Sequence, residues 1–250
     1  GSGKVYCLTT SGELKWVYNL VTNGSSQRRM AEYLIRVKWH LAIRPSARTL
    51  EQMRIASMHS WASPNMDSMG RVFVTGTGIG LHAIDITTGN AAWTYDLGSP
   101  RKHLSGVALG LNEEIYVASQ QAAAYCLDGD GRLNWKVSLP AGYNAWGNPS
   151  FDTEARQAYF PTSRGEADGW VFCLDETGRV RWSTRIQGGI RGSIAIPKSG
   201  DAICCSLGGE LVFLDRESGG ITKTIQVSSA VRALWTTPSI DLDGHVLLSV

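Results

Sequence analysis

Apolar residues recur at every second position in short runs along this chain, and the runs come in pairs joined by a turn rich in Asp and Gly. VYCLTTSGELKW (5–16), LHAIDITTGNAAW (81–93), AYCLDGDGRLNW (124–135) and VFCLDETGRVRW (171–182) align with one another. LVFLDRESGGITK (211–223) is a fifth copy, with Lys223 where the others end in Trp. A period of two predicts half-buried strands, and the Asp/Gly turn between them predicts a hairpin. Upstream lies a second kind of pair. WASPNMDSMGRVFV (61–74) matches WTTPSIDLDGHVLL (235–248), with WGNPSFD (146–152) as a third copy and SGVAL (105–109) and GSIAI (192–196) as looser ones. Four short strands per unit, with Trp93 and Trp135 42 positions apart, is the blade pattern of a β-propeller. The expected fold class is therefore all-β, a propeller of four-stranded blades forming a single domain over residues 1–250.

The repeat phase sets the expected blade count. The chain stops after a second strand, at Val250, and starts before a third, at Lys4. Joined, residues 235–250 followed by 4–18 complete a fifth blade, and closure by strands from both ends leaves no open sheet edge. A piece of a larger propeller shares the same phase, and the start at Gly1 without Met fits a processed product or such a piece.

Residues 20–58 interrupt the pattern, setting Trp16 and Trp93 77 positions apart. This insertion carries seven basic residues (Arg28, Arg29, Arg36, Lys38, Arg44, Arg48, Arg54) against Glu32 and Glu51. Ile35, Val37, Trp39, Leu41 and Ile43 alternate with Arg36, Lys38, His40, Ala42 and Arg44, which favours a strand with one basic face. A helical reading through Met30, Leu34, Val37 and Leu41 also fits. Joining a fourth strand to the next innermost strand, the insertion should emerge at the channel mouth. There it would act as a lid or a partner-docking element through Arg36, Lys38, Trp39, His40 and Arg44. A degenerate blade or a surface insertion are the alternatives.

Composition narrows the function classes. Gly makes up 28 of 250 residues against roughly 7% on average, and with 43% hydrophobic residues the excess belongs to tight turns rather than to disorder. A net charge of +2 gives no general attraction to nucleic acid. No apolar run approaches the roughly 18 residues of a membrane-spanning helix. Five Cys without CxxC spacing argue against a zinc site or a disulfide scaffold. The five His are dispersed, so no metal site is expected; only His59 and His103 should approach each other, and a pair alone is underliganded.

The hairpin AIDITTGNAAW (83–93) resembles the tryptophan-docking motif A-x-D-x-x-T-G-x-x-x-W of the PQQ-like propeller repeat. That family includes quinoprotein alcohol dehydrogenases and an outer-membrane assembly lipoprotein that binds other proteins. The resemblance implies a periplasmic or extracellular location. It also raises the question of PQQ with calcium, since the dehydrogenases carry two adjacent Cys that form a disulfide above the cofactor. Cys204 and Cys205 are adjacent here, but they lie in a second strand, whereas the family places its pair just before an innermost one. Neighbouring side chains in a strand point to opposite faces, so one should pack inward and the other between blades, and no cofactor is expected. Cys7, Cys126 and Cys173, at equivalent repeat positions, should be core residues.

A propeller takes its ligands at the mouth of the channel lined by the innermost strands. Alignment puts Trp61, Leu104, Trp146, Arg191 and Trp235 at one position near the strand starts, preceded by His59, Lys102, His103, Tyr143, Asn144 and Arg232. Indoles and cationic groups around one opening suit a sugar, a planar group or a carboxylate. The expected ligand site is Trp61, Trp146, Arg191, Trp235, Tyr143, Arg232, His59 and His103. The segment 161–169 reads as a long loop on the same face, exposing Arg164, Glu166 and Asp168. No Ser/His/Asp order, HExxH or P-loop appears, and no catalytic residue is assigned. A non-catalytic scaffold recognising a protein segment or a glycan at the mouth is the favoured function. A PQQ-like oxidoreductase, or a hydrolase or lyase acting in the channel, is the alternative.

Overall fold

The computed structural model describes residues 4–20, 63–76, 80–96, 104–119, 123–140, 142–227 and 236–248. All regular structure among them is β. The basic insertion, apart from Leu20, lies outside the described residues. The chain divides into two compact units, Gly1–Gly106 and Val107–Val250.

In the first unit, β1 (Lys4–Leu8) and β2 (Leu14–Asn19) pair as an antiparallel hairpin. β3 (Asn65–Met66), β4 (Arg71–Gly76), β5 (Gly80–Asp85) and β6 (Ala91–Tyr95) form a four-stranded antiparallel sheet in chain order. β7 (Leu104–Leu109) contains the division, and it opens a second sheet with β8 (Ile115–Ser119), β9 (Ala123–Leu127) and β10 (Leu133–Ser138). A third four-stranded sheet runs β11 (Ser150–Asp152), β12 (Gln157–Arg164), β13 (Asp168–Asp175) and β14 (Val180–Gln187). β15 (Ala202–Cys205), β16 (Glu210–Leu214) and β17 (Ile221–Gln226) make a three-stranded sheet, its innermost strand reduced to one bridge between Ala195 and Ile203. β18 (Ser239–Ile240) and β19 (Val246–Leu247) pair on their own. Successive four-stranded meanders of this kind are the β-propeller blades that the repeat predicted.

Burial follows strand position. β9 is buried at every residue and β13 at nearly all, β13 placing Phe172 and Leu174 in one apolar cluster and Val171 and Cys173 in another, whereas the outermost β10 alternates between half-buried and exposed. In the first unit, Tyr18, Leu20, Val74 and Ile84 make one apolar cluster, inside which Tyr18 Oη and His82 Nδ1 share a 3.0 Å hydrogen bond. In the second unit, Tyr116, Cys126, Ala158, Phe160 and Leu174 join the second sheet to the third. Tyr159, Val171, Cys173, Cys204 and Val212 join the third to the next.

Cys204 faces this last cluster, while Cys205 packs on the opposite side of β15 with Ile203 and Leu211. This is the outcome that period two expects of adjacent strand residues. Burial pushes the Cys204 thiol well up and that of Cys205 to about 11. Cys126 and Cys173 are buried as expected, whereas Cys7 is half-buried in the terminal hairpin.

The sheets are fastened by their tryptophans. Trp16 Nε1 donates to Ile86 O at 2.8 Å, Trp135 Nε1 to Glu176 O at 2.8 Å, and Trp182 Nε1 to Arg216 O at 3.1 Å. In each case the acceptor directly follows the turn Asp of the next hairpin (Asp85, Asp175, Asp215). The indole also lies against that turn's glycine: a Cβ on Gly178 would come within 2.8 Å of the Trp135 ring, and one on Gly89 within 2.6 Å of Trp16. Gly178 sits at φ +83°, where a Cβ is strained irrespective of space. All five hairpins shift register at the same repeat position, between Cys7 and Leu8, Ala83 and Ile84, Leu133 and Trp135, Cys173 and Leu174, and Phe213 and Leu214. A bulge there adds local twist. Trp135→Ala should cost about 3 kcal/mol, and Gly178→Ala at least about 1 kcal/mol through its backbone and its collision with the same indole. Urea unfolding of both variants checks this; if Gly178→Ala matches wild type, the indole is not held by the turn.

Candidate functional site

Three inner segments, 146–150, 191–195 and 236–240, lie edge to edge in the second unit. A Cβ on Gly147 would strike Gly192 O and Pro161, and one on Gly192 would strike Thr236 O, so small residues allow the backbones to close up. Each segment is then tied to the next. Asn148 N–H donates to Ser193 Oγ at 3.0 Å, Ser193 N–H to Thr237 Oγ1 at 2.8 Å, and Ser150 Oγ to Ile194 O at 2.6 Å. Ser193 and Thr237 occupy one repeat position, and its recurring hydroxyl was the available sequence signal for this lacing.

This rigid base carries Trp146 and Arg191. The Arg191 guanidinium carbon stands 4.8 Å from the Trp146 ring centroid, and the indole keeps 42% of its surface exposed. The structure thus brings these two aligned residues together. Leu104, aligned at the same position, differs: it is wholly buried, because β7 is already a paired strand there, whereas Trp146 precedes β11. Trp61, Trp235, Arg232, His59 and His103 lie outside the described residues, as do Arg36, Lys38, Trp39, His40 and Arg44 of the insertion.

Tyr143 opens onto a second constellation. Its hydroxyl donates to Asp168 Oδ2 at 2.9 Å, and its ring lies 5.3 Å beneath the Arg164 guanidinium carbon. Arg164 Nε and Nη2 each reach Asp168 Oδ1 at 3.2 Å, and Arg185 Nε reaches Oδ2 at 3.0 Å. Asp168 is buried, which corrects the expectation of an exposed residue on a long loop. The supposed loop is mostly strand: β12 runs through Pro161 to Arg164, β13 restarts at Asp168, and only 165–167 turn. Pro161 is accommodated within β12: Ser163 N–H donates toward Asn144, so the missing N–H of Pro161 faces that same side, beyond the short β11. Arg185, on β14, was not anticipated, because nothing in its local sequence points to Asp168.

Among the described residues one group of three potential metal ligands occurs, the exposed Asp241, Asp243 and His245. Its bonds are those of a turn. Asp241 Oδ1 accepts from the amides of Asp243 and His245, and Oδ2 meets His245 Nδ1 at 2.8 Å. Asp67 accepts in the same way from Met69 and Arg71, with Arg71 in the His245 role.

Burial favours the neutral form of Asp168, but the Tyr143 hydroxyl and the Arg164 and Arg185 guanidiniums outweigh it and hold the carboxyl below its ordinary value. A depressed carboxyl supports the fold at pH above the ordinary carboxylate value, near about 3.9, and stops doing so as pH falls through its own lower value. The cluster should therefore persist at about pH 5 and release only below about pH 4, and Asp168→Asn should remove this part of the acid sensitivity. A carboxyl-carbon NMR titration checks it; a midpoint above the ordinary value contradicts it.

Residues 80–233, more than half of the chain, match the family described as outer membrane protein assembly factor BamB. No curated protein matches the chain in sequence. Among solved structures it is similar to BamB from Moraxella catarrhalis, with a TM-score of 0.63 at 16% identity over 98% of this chain and 66% of that one. It is also similar to the quinohemoprotein alcohol dehydrogenase from Comamonas testosteroni, with a TM-score of 0.64 at 17% identity over 74% of this chain and 38% of that one. The chain thus spans just under two thirds of the length of the Moraxella protein, and at these identities the likeness shows the fold alone. With its strand meanders, its docking tryptophans and a family match over most of its length, the chain belongs to the BamB family of PQQ-like repeat β-propellers.

Proposed function

We propose that this chain is a non-catalytic protein-binding scaffold, and that its docking face is the one carrying Tyr143, Trp146 and Arg191. The observation that carries the reading is the half-exposed indole of Trp146 with Arg191 stacked on it. Trp and Arg are the residues that most often dominate binding energy at protein interfaces. Here both stand on inner segments fixed by backbone contact and by amide-to-hydroxyl bonds, so little conformational freedom remains to be lost on binding. The Arg191–Trp146 pair joins a cation to an aromatic ring, a combination of residue types enriched at the centres of protein interfaces. Kinship with an outer membrane assembly factor adds to the reading and points to a periplasmic place of work.

The reading assigns no quinone cofactor. In the dehydrogenase relatives, paired cysteines would sit together over the quinone, whereas Cys204 and Cys205 are buried free thiols in different clusters on opposite faces of β15. These residues do not fit the group. Adding PQQ with calcium should leave the melting temperature unchanged, and a clear stabilisation would overturn this assignment.

The docking face is tested with a peptide array and a glycan array probed side by side. Peptide binding is expected, weakened by at least about tenfold in Trp146→Ala and in Arg191→Ala, with the urea midpoint preserved. Binding to glycans alone, or unfolding of both variants, sinks the reading.

A further inference from the structure

Asp168 is a buried carboxylate whose two cationic partners are not buried. The side chains of Arg164 and Arg185 are 57% and 63% exposed, against 3% for Asp168. Arg185 gives the carboxylate only its Nε, and neither of its Nη groups has an acceptor among the described residues. Arg164 gives Nε and Nη2 to the carboxylate, and its Nη1 has no acceptor among the described residues. Two guanidiniums are thus drawn to one carboxylate, and one positive charge is left over. Tyr143 fixes the assembly by donating to Asp168 and by lying under Arg164. Glu166, exposed in the 165–167 turn between Arg164 and Asp168, carries the opposing charge nearest in the chain.

We propose that Arg164 and Arg185, held from behind by Asp168 and Tyr143, recognise the carboxylates of an acidic partner segment. The proposal rests on the protein-binding reading of the same face and names the chemistry of its partner. A guanidinium is a planar fork that matches a carboxylate with paired hydrogen bonds, and one already anchored at its inner edge loses less freedom when it binds. The aromatic surface of Tyr143, and of Trp146 three residues further along the same segment, continues the cationic one. A peptide bearing carboxylates can engage both, whereas an isolated anion engages only the arginines.

The probe is a rhodamine-labelled octapeptide of glutamate followed by fluorescence anisotropy, with the glutamine octapeptide and inorganic phosphate as competitors. Wild type should bind the glutamate peptide with an affinity that falls as salt rises. Arg164→Gln combined with Arg185→Gln should weaken it at least tenfold. Arg185→Lys should restore part of what Arg185→Gln loses. Glu166→Gln, which leaves the buried cluster untouched and so covers the case of a misfolded arginine variant, should tighten binding. Equal affinity in the double arginine variant, equal competition by the glutamine peptide or by phosphate, or no effect of Glu166→Gln overturns the proposal. If array peptides are lost in Trp146→Ala while the glutamate peptide ignores the arginine variants, the acidic preference falls and the protein-binding reading stands. If wild type binds no peptide of either kind, both fall.

Discussion

The indole that leaves one hairpin and lies on the turn of the next is the contact on which the rest of this architecture depends. It combines three requirements in one place. The turn Asp gathers backbone amides onto a side-chain oxygen, as Asp175 does with Thr177 and Arg179 at 2.9 and 3.0 Å. That fold of the turn leaves the carbonyl of the following residue, Glu176, where the Trp135 indole N–H can reach it. The glycine that ends the turn must have positive φ and must also lack a Cβ, since the ring occupies that space. An aromatic of this size buries a large apolar area, and its N–H needs a partner once buried. Asp, Gly and Trp therefore recur together because each makes the other two useful. Where Lys223 replaces the indole, its ammonium instead lies 5.5 Å from the Phe213 ring, and β17 is exposed along its whole length.

Fastening the sheets through their outer strands frees the inner segments from that duty. They are held by close backbone approach at Gly147 and Gly192 and by hydroxyl-to-amide bonds at Ser193 and Thr237. The position just before those glycines then varies between copies, from Trp146 to Arg191. Trp146 and Arg191 both stand there, and their side chains meet each other rather than the core. A frame that tolerates such variation at its rim can carry many functions, which is why family membership settles the fold of this chain while its activity has to be argued from the rim itself.

Much of this was legible in the sequence because it is periodic. The hairpins, the docking tryptophans, the turn glycines and the opposed faces of Cys204 and Cys205 all follow from a period of two set within a longer repeat. What escaped is aperiodic. Arg185 reaches Asp168 across 17 positions and Tyr143 reaches it across 25, and neither spacing belongs to the repeat. The segment 161–169 read as a loop, yet most of it is strand, and Pro161 fits within that strand. Proline forbids a strand only where its missing N–H is needed, and that depends on how far the neighbouring strand extends. Leu104 shows the limit of alignment: it shares a repeat position with Trp146, yet pairing in β7 starts early enough to bury it.

The two buried carboxylates of the third sheet show how one chemistry serves two ends. Asp152 meets Arg216 at 3.0 Å, and both are sequestered. The Arg216 carbonyl accepts from Trp182 and from Gln157, while Tyr159 donates toward Asp152. Apart from the outer contact of Arg216 with Glu154, these groups are turned inward, so that network braces one sheet against the next. Asp168 sits at the other end of the same strands, and its guanidiniums face solvent. A buried charge is costly unless it is paired, so the fold retains Asp168 only while arginines stand over it. The pairing that stabilises the carboxylate is the same pairing that holds two cations in fixed positions at the surface. Bracing and presentation are thus one interaction seen from its buried and its exposed side.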